Sequence, residues 1–201
     1  MSSSVADRAQ SAATGASPGL AIALGANLPS PAGEPLATLV AVRPQLELLL
    51  LGWGGPLQLH WSPLFRTAPV GGPADQPAYL NGVLLVEGAS DPNCAAARSL
   101  LGLLHGLEQR FGRQRRQRWG PRSLDLDLLW WGDLQCRSEA LELPHPRLLE
   151  RSFVLAPLAA INATLVPPGA GATAANLLTP LLAAASEPPP QRLAGRPGWP
   201  E

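Results

Sequence analysis

The sequence predicts an α+β fold, a ferredoxin-like α/β sandwich in which an antiparallel sheet carries helices on one face, followed by a C-terminal helical extension. Segments typical of strands and helices follow one another in the order β-α-β-β-α-β. The 201 residues, of which 46% are hydrophobic, suit one domain with a core of its own. We expect that domain at residues 19–186, between disordered tails at 1–18 and 187–201.

The first half of this pattern contains a strand, a helix and a second strand. Residues 20–26 form a short apolar run that predicts a buried strand. Residues 34–51 place Leu and Val at helical spacing, and Pro44 should kink or split that helix. Residues 57–65 alternate between apolar and polar side chains, as a half-buried strand does, and residues 66–77 predict a loop.

The second half repeats the pattern. Residues 79–87 predict a strand, and residues 91–111 predict the clearest helix, with Asp91 as its N-cap and a stripe of leucines as its core face. An arginine-rich loop begins at Arg113 and leads into a Leu- and Trp-rich strand that ends at Trp131. These two elements complete the predicted sandwich.

The chain ends with an extended segment, two helices and a Pro-rich tail. Two prolines keep residues 141–146 extended. Residues 147–161 predict a helix broken near Pro157, and residues 174–185 predict a short helix rich in Leu and Ala. The proline content of residues 187–201 predicts disorder.

Composition excludes several mechanisms. The formal net charge is zero, which argues against a generally basic nucleic-acid binder. Every basic residue is Arg, so a P-loop lysine and a Schiff-base lysine are excluded. Cys94 and Cys136 form no metal-ligand pattern, and no secretory signal pattern or membrane-length apolar run is present. We therefore expect free thiols and a cytoplasmic location.

One stretch combines arginines with paired carboxylates. Six arginines and no acid lie between Arg110 and Arg122, and Asp125 and Asp127 follow inside an apolar run. Residues i and i+2 of a strand share a face, so both aspartates should point the same way. The opposite, core-facing side would hold Leu124, Leu126 and Leu128.

These carboxylates predict a metal site. Two carboxylates on one face repel each other unless a cation lies between them, and Mg²⁺ commonly binds one or two carboxylates together with substrate phosphates. Neighbouring guanidinium groups match phosphate oxygens. The stretch therefore predicts phosphoryl or nucleotidyl transfer, without deciding between them.

Four separated segments resemble one family. They are G-A-N-L at 25–28, F-R-T-A-P-V-G with D-Q-P-A-Y-L-N within 65–81, G-R with R-W-G-P-R-S-L-D-L-D within 112–127, and L-P-H-P-R-L-L-E-R-S-F-V-L-A-P-L at 143–158. In this order they closely resemble the 6-hydroxymethyl-7,8-dihydropterin pyrophosphokinases (2-amino-4-hydroxy-6-hydroxymethyldihydropteridine diphosphokinases) of folate biosynthesis. The third segment is highly specific, and the resemblance covers roughly residues 20–168.

The resemblance implies an enzyme that transfers pyrophosphate from ATP to 6-hydroxymethyl-7,8-dihydropterin and releases AMP. It implies ATP as co-substrate and two Mg²⁺ ions, a ferredoxin-like fold and a monomer, without nucleic-acid or membrane partners. Because the transferred group is strongly anionic, such catalysis depends on positioning and charge stabilisation.

The resemblance also implies roles for particular residues. Catalysis falls to Arg113, Arg122, Asp125 and Asp127, with both aspartates as magnesium ligands. The implied ATP-binding residues are Glu108, Arg113, Arg118, Trp119, Arg122, His145 and Arg151. The implied pterin-binding residues are Thr67, Val70, Tyr79, Asn81 and Phe153. The chain departs from the family pattern at Ala68, where proline is common, and at Pro146, where an aromatic residue is common.

Two other classes of protein share part of this pattern. An Asp-x-Asp nucleotidyltransferase or glycosyltransferase would use the same metal chemistry, but it does not explain Tyr79, Asn81 and Phe153. A ferredoxin-like RNA-binding module would use aromatic residues and a basic surface. The zero net charge and the paired aspartates argue against that module. An inactive relative would not be expected to keep the aspartates and arginines.

Overall fold

The computed structural model describes residues 19–52, 56–73, 75–89, 92–114, 120–185 and 187–200. An antiparallel six-stranded sheet and a separate two-stranded hairpin form its β structure. The strands of the main sheet are β1 (Leu20–Ala26), β2 (Gln58–Trp61), β3 (Phe65–Thr67), β4 (Tyr79–Glu87), β5 (Asp125–Trp131) and β8 (Gln191–Arg192). The hairpin consists of β6 (Cys136–Arg137) and β7 (Glu142–Leu143).

The main sheet has the order β5-β1-β4-β3-β8, and β2 pairs with β4 beyond the end of β3. The single strand predicted at residues 57–65 is therefore wrong, because β2 and β3 are separated at Ser62. There the Ser62 N–H donates to the Val83 carbonyl oxygen, and the Val83 N–H donates to Ser62 Oγ, both at 2.9 Å. The serine hydroxyl replaces a main-chain acceptor and interrupts the ladder.

Four α-helices accompany the sheet: α1 (Pro35–Leu51), α2 (Cys94–Arg110), α3 (Ser152–Ile161) and α4 (Ala174–Ala184). A 3₁₀ turn at Leu148–Glu150 precedes α3. Within the described ranges, no helix has the length and apolar character needed to cross a membrane.

Helix α1 continues through Pro44, so the predicted split is wrong. An interior proline costs a helix about 3 kcal/mol. Against this, α1 buries Leu39, Val42, Leu46 and Leu50 in the core, and each such side chain contributes about 1.5–3 kcal/mol. Packing against the sheet therefore outweighs the proline. The same reasoning applies to α3, which the sequence predicts to break near its own proline but which stays continuous.

Helix α2 begins later than predicted. Asn93 is its N-cap, since Asn93 Oδ1 accepts a hydrogen bond from the Ala96 N–H at 2.9 Å. Asp91, the predicted cap, lies outside the described residues. At the other end, Phe111 is the C-cap and Gly112 follows with a φ of 79°, a left-handed conformation that favours glycine.

The two helices of the predicted sandwich lie on one face of the sheet, as expected, whereas the helices that follow β7 cover the other face, a placement that the sequence did not predict. Helices α1 and α2 share a core with one face, whereas α3 and α4 pack on the opposite face. The packing of α3 and α4 buries Ala21, Val83, Leu85, Leu129 and Trp130. This second layer leaves one end of the sheet face for a cavity, described below.

Strand β5 has the alternation that the sequence predicts. Leu124, Leu126 and Leu128 are at most 3% exposed and lie in the core beneath α1 and α2. Asp125 and Asp127 point to the opposite face and are only partly buried. The expected orientation of the two carboxylates is confirmed.

The C-terminal segment is folded, which corrects the prediction of a disordered tail at residues 187–201. Strand β8 pairs with β3, and the Leu193 N–H donates to the Leu64 carbonyl oxygen at 2.8 Å. Trp199 is 6% exposed and belongs to the main core. The gain from burying this indole offsets the ordering of a Pro-rich segment. The predicted tail at residues 1–18 lies outside the described residues.

Cys94 and Cys136 form a disulfide, so the prediction of free thiols is wrong. Their Cα atoms are 5.8 Å apart although 42 positions separate them in the chain. Cys94 begins α2 and Cys136 begins β6. The start of a helix and a two-residue strand thus meet only in the folded chain, which sequence spacing could not indicate. The cytoplasmic location, which was argued partly from free thiols, stays a prediction.

Reduction of the disulfide is expected to lower the free energy of unfolding by about 4 kcal/mol, because a closed loop of this length restricts the unfolded chain. Denaturant unfolding with and without dithiothreitol measures the difference. A Cys94→Ala/Cys136→Ala variant is the control and should not respond to the reductant. An unchanged unfolding midpoint in the reduced wild type would show that the bridge contributes nothing to stability.

Candidate active site

A cavity opens at the end of the sheet where β5, β1, β4 and β3 lie side by side, next to the N-terminus of α3. The floor requires a glycine: a Cβ at Gly25 would lie 2.8 Å from Asn81 Oδ1. The lining residues are Ala23, Leu24, Gly25, Thr67, Ala68, Pro69, Val70, Gly71, Gln76, Tyr79, Asn81, Gly82, Arg122, Asp125, Asp127, Arg147, Arg151 and Phe153.

One side of the cavity is polar but neutral, with aromatic rings. Asn81 Nδ2 donates to Thr67 Oγ1 at 2.7 Å, and both side chains are nearly buried. This bond fixes the amide, so that Asn81 Oδ1 remains an oriented acceptor. The Tyr79 hydroxyl donates to the Gly120 carbonyl oxygen at 3.3 Å, and burial raises the pKa of the phenol, which keeps it protonated. Phe153 adds an aromatic face.

The other side concentrates charge. Arg122 Nη1 donates to Asp125 Oδ2 at 2.6 Å, while the Arg113 guanidinium donates to the other oxygen of Asp125. Arg151 Nη1 lies 3.3 Å from Asp127 Oδ2, and its guanidinium carbon lies 5.5 Å from the centre of the Phe153 ring. Three arginines therefore reach two carboxylates at the edge of the aromatic pocket.

Glu108 supports this cluster from behind. Its side chain is almost fully buried, at 2% exposure, and Oε1 accepts the Leu126 N–H at 2.8 Å. The same carboxylate pairs with Arg113, which also binds Asp125. A buried carboxylate needs such partners. Glu108 thus ties α2 to β5 and fixes Arg113 beside Asp125.

Crowding of charge shifts two titrating groups. Burial, together with the negative charge of Asp125, raises the pKa of Asp127 to about 6. Burial and the positive charge of Arg151 lower the pKa of His145 to about 4. At neutral pH the cavity therefore contains two ionised carboxylates that repel each other, and the imidazole of His145 carries no charge.

Asp125 and Asp127 suit a divalent cation whose remaining ligands come from the substrate and water. Among the described residues, no cluster of three or more His, Cys, Asp and Glu side chains could bind a metal by itself. Asp125 and Asp127 supply carboxylate oxygens on one face, and a cation between them would relieve the repulsion that raises the Asp127 pKa. Mg²⁺ typically completes such a site with phosphate oxygens and water.

The structure gathers many of the predicted site residues in this cavity. Its lining includes Thr67, Val70, Tyr79, Asn81 and Phe153 from the predicted pterin set, and Arg122, Asp125, Asp127 and Arg151 from the predicted phosphate and metal set. Among the described residues predicted to bind ATP, those outside the lining are Glu108, Arg113 and His145. The predicted contacts of Arg118 and Trp119 lie outside the described residues.

His145 occupies the loop between β7 and the 3₁₀ turn. Its N–H donates to the Leu129 carbonyl oxygen at 2.7 Å, and its Nδ1 accepts the Arg147 N–H at 3.1 Å. These bonds connect the loop to β5. They also direct Arg147 towards the cavity that it lines.

Sequence reasoning missed Arg147 and Gln76 as lining residues. Arg147 was predicted only as the start of a helix, although it lies within the L-P-H-P-R segment and shares the basic character of Arg151. Gln76 lies in the predicted 66–77 loop, beside Tyr79 and Asn81. Its place in the D-Q-P-A-Y-L-N segment was the available signal.

The cavity combines paired aspartates and arginines with an aromatic pocket that holds fixed amide and hydroxyl groups. This combination is typical of one class of site, that of phosphoryl transfer. The family described as 7,8-dihydro-6-hydroxymethylpterin-pyrophosphokinase (HPPK) matches residues 21–163 of this chain. This match covers most of the chain, and the chain belongs to that family.

Three similar bacterial proteins bear the name 2-amino-4-hydroxy-6-hydroxymethyldihydropteridine pyrophosphokinase. That of Synechocystis sp. is 41% identical over 114 residues, covering 57% of this chain and 55% of the relative. That of Pseudomonas aeruginosa is 40% identical over 140 residues, covering 69% and 76%. That of Haemophilus influenzae is 37% identical over 147 residues, covering 73% and 83%. The chain thus spans about half of the first relative and most of the other two.

A solved structure supports the fold. The crystal structure of Plasmodium falciparum HPPK-DHPS has a TM-score of 0.53 at 12% identity, and the match covers 82% of this chain and 44% of that chain. An antiparallel sheet with helices is the architecture common to both.

Proposed function

We propose that this chain transfers the β,γ-pyrophosphoryl group of ATP to the hydroxymethyl group of 6-hydroxymethyl-7,8-dihydropterin, forming the pterin diphosphate and AMP in folate biosynthesis. One observation carries the proposal: a single cavity brings Asp125 and Asp127 next to the hydrogen-bonded Asn81 and Thr67. Metal-binding carboxylates and a pocket for a flat amide-like ring are what this reaction requires.

Different residues of the cavity are proposed to bind the two substrates. Asn81 and Thr67 match the amino-oxo edge of a pterin, and Tyr79 and Phe153 offer aromatic surface to its ring. Asp125 lies on the charged side of the same cavity. The ring would thus present its hydroxymethyl group to the carboxylate side.

The guanidinium groups of Arg113, Arg122 and Arg151 contact Asp125 and Asp127, which supports a role for them in binding a triphosphate there. They would neutralise the phosphoryl oxygens as the pterin oxygen bonds to the β-phosphorus and the bond from that phosphorus to the oxygen of AMP breaks. The hydroxyl proton passes to solvent water as this substitution proceeds. Two Mg²⁺ ions bound by Asp125 and Asp127 would supply Lewis-acid stabilisation of the same oxygens.

Further aspects of the proposal concern architecture and partners. The strand order β5-β1-β4 followed by β2 and β3, with α1 and α2 on one face, supports a ferredoxin-like sandwich. The zero net charge supports small anionic substrates without a nucleic-acid partner. We also propose a monomer without membrane contacts that acts in the cytoplasm.

The direct test is an assay with ATP, Mg²⁺ and 6-hydroxymethyl-7,8-dihydropterin, in which chromatography identifies the nucleotide product. AMP and the pterin diphosphate are expected in equal amounts. Formation of ADP, or no turnover, would overturn the proposal. Release of free pyrophosphate with a nucleotidylated acceptor would instead indicate the nucleotidyltransferase alternative.

Phe153→Ala is expected to weaken pterin binding about tenfold or more, because stacking of a flat heterocycle on an aromatic ring contributes about 1–3 kcal/mol. Binding of an ATP analogue should change much less. Titration calorimetry with each ligand measures both affinities. Phe153→Leu is the control that keeps apolar volume but not the aromatic face, and it should resemble the Ala variant. Equal losses for the two ligands would contradict the stacking role.

A further inference from the structure

The C-terminal segment lies outside the residues matched by the family, yet it returns to the sheet beside the proposed pterin pocket. Strand β8 pairs Arg192 with Phe65 and Gln191 with Arg66 of β3. Strand β3 is only three residues long and pairs with β4 on its other side. Without β8, this short strand would be an edge held by one neighbour.

Trp199 anchors the same segment underneath the sheet. Its indole Nε1 donates to the Ser62 carbonyl oxygen at 2.8 Å, and its ring packs edge-on against Trp61 with centroids 5.2 Å apart. A Cβ at Gly82 would lie 3.3 Å from the Trp199 ring, so the indole contacts β4 there. Gly82 itself lines the cavity from the other side.

The two contacts support the wall that carries the recognition groups. The pairing of β3 with β4 sets Thr67 opposite Tyr79 and Phe65 opposite Asn81. This register makes the 2.7 Å hydrogen bond from Asn81 Nδ2 to Thr67 Oγ1 possible. Strand β8 lies on the outer edge of β3, and Trp199 lies below β4. A shift of β3 would separate the two groups.

We propose that residues 191–199 are a positioning element for the pterin pocket: β8 and Trp199 hold β3 against β4 so that Thr67 and Asn81 stay in hydrogen-bonding register. This inference rests on the proposed function and deepens it. The segment does not line the cavity, so it acts through β3 and β4 and not by touching substrate. The phosphate side, built on β5 and α2, is supported independently by Glu108.

Trp199→Ala in the full chain is expected to raise the KM for the pterin about tenfold, the equivalent of one or two hydrogen bonds, while kcat and the KM for ATP stay within about twofold. Trp199→Phe should give a smaller rise, because it keeps the ring but removes the donor to Ser62. Trp131→Phe is the matched control in the same core, at the far end of β5, and should leave the pterin KM unchanged. All kinetics are measured below the thermal midpoint of each variant.

Gly198→Ala provides a second variant, in which no tryptophan of the core is replaced. Gly198 has a φ of 81°, and a Cβ there would lie 2.8 Å from Val40 Cγ1, so alanine should dislodge the segment. A pterin KM that does not change in Trp199→Ala and Gly198→Ala would overturn the inference. So would equal rises in both KM values, which indicate a general loss of structure.

A failure of the proposed function is distinguishable from a failure of this inference. If the wild type forms no AMP, the proposed function is wrong. Hydrogen exchange of the amides of residues 65–67 then tests, without turnover, whether residues 191–199 hold β3 in place. Faster exchange in Gly198→Ala than in the wild type supports this positioning role, and unchanged exchange overturns it.

Discussion

Asp127→Asn is expected to lower kcat about a thousandfold, the scale on which loss of preorganised charge stabilisation reduces turnover. The amide has the size of the carboxylate but neither its charge nor its strength as a Mg²⁺ ligand. Because Asp127 lies on the cavity wall and not in the core, the fold should persist. Steady-state assays over a range of Mg²⁺ concentrations measure the loss. Asp133→Asn, the same change at an exposed turn after β5, is the control and should keep wild-type rates.

The same variant should be at least as stable as the wild type when no ligand is present. Burial and Asp125 raise the pKa of Asp127 to about 6, so the folded chain holds this proton more tightly than the unfolded chain. The contribution of Asp127 to stability therefore falls as pH rises from about 4 to about 6, and it stays low above that range. Replacing the carboxylate removes this penalty at neutral pH.

His145 has the opposite dependence over the same range. Its lowered pKa, about 4, means that the unfolded chain binds the proton more readily, so the histidine contribution increases with pH up to its ordinary pKa. Both Asp127→Asn and the wild type contain His145, so the contribution of this histidine drops out of the difference between their unfolding free energies. We expect that difference to grow in favour of the variant between pH 4 and pH 6. A difference that is independent of pH would contradict the raised pKa.

Arg122→Gln is expected to reduce kcat by about a hundredfold, with a smaller rise in the KM for ATP, because a positive charge beside the transferring group stabilises the transition state more than the ground state. Arg122 lines the cavity and donates to Asp125 Oδ2 at 2.6 Å. Arg122→Lys keeps the charge but not the planar fork and should recover only part of the rate.

A matched control separates this local effect from a change in net charge. Arg98 is exposed on α2, and Arg98→Gln removes the same charge away from the cavity. Its kinetics should match the wild type. If Arg122→Gln changes only the KM for ATP and leaves kcat intact, Arg122 contributes uniform binding and not transition-state stabilisation.

Local patterns predicted the elements that depend on local physics. Strand β4 begins and ends where the alternation and flanking residues place it, at Tyr79 and Glu87. The period of two in β5 correctly separated the core leucines from Asp125 and Asp127. The predicted split at Pro44 and break near Pro157 are wrong, because the cost of a proline is local whereas the compensating burial is tertiary.

Two other errors concern contacts between distant residues. The Cys94 to Cys136 bridge depends on where α2 starts relative to a small hairpin. The C-terminal segment is folded because the Trp199 side chain packs against Trp61 and Gly82. The proline-rich composition of the segment predicts disorder, since composition does not indicate which surface the indole will pack against.

Residue types and their spacing were enough to predict the chemical groups of the site: paired carboxylates, arginines without lysine, and aromatic and amide side chains within recognisable segments. How these groups are held depends on contacts between distant parts of the chain. Folding buried Glu108 behind Asp125, joined Asn81 to Thr67 across two strands, and placed the C-terminal segment beside β3. Residue types and local periodicity can be read from the chain itself. The raised pKa of Asp127 and the contacts that support the pocket depend on atoms that only folding brings together.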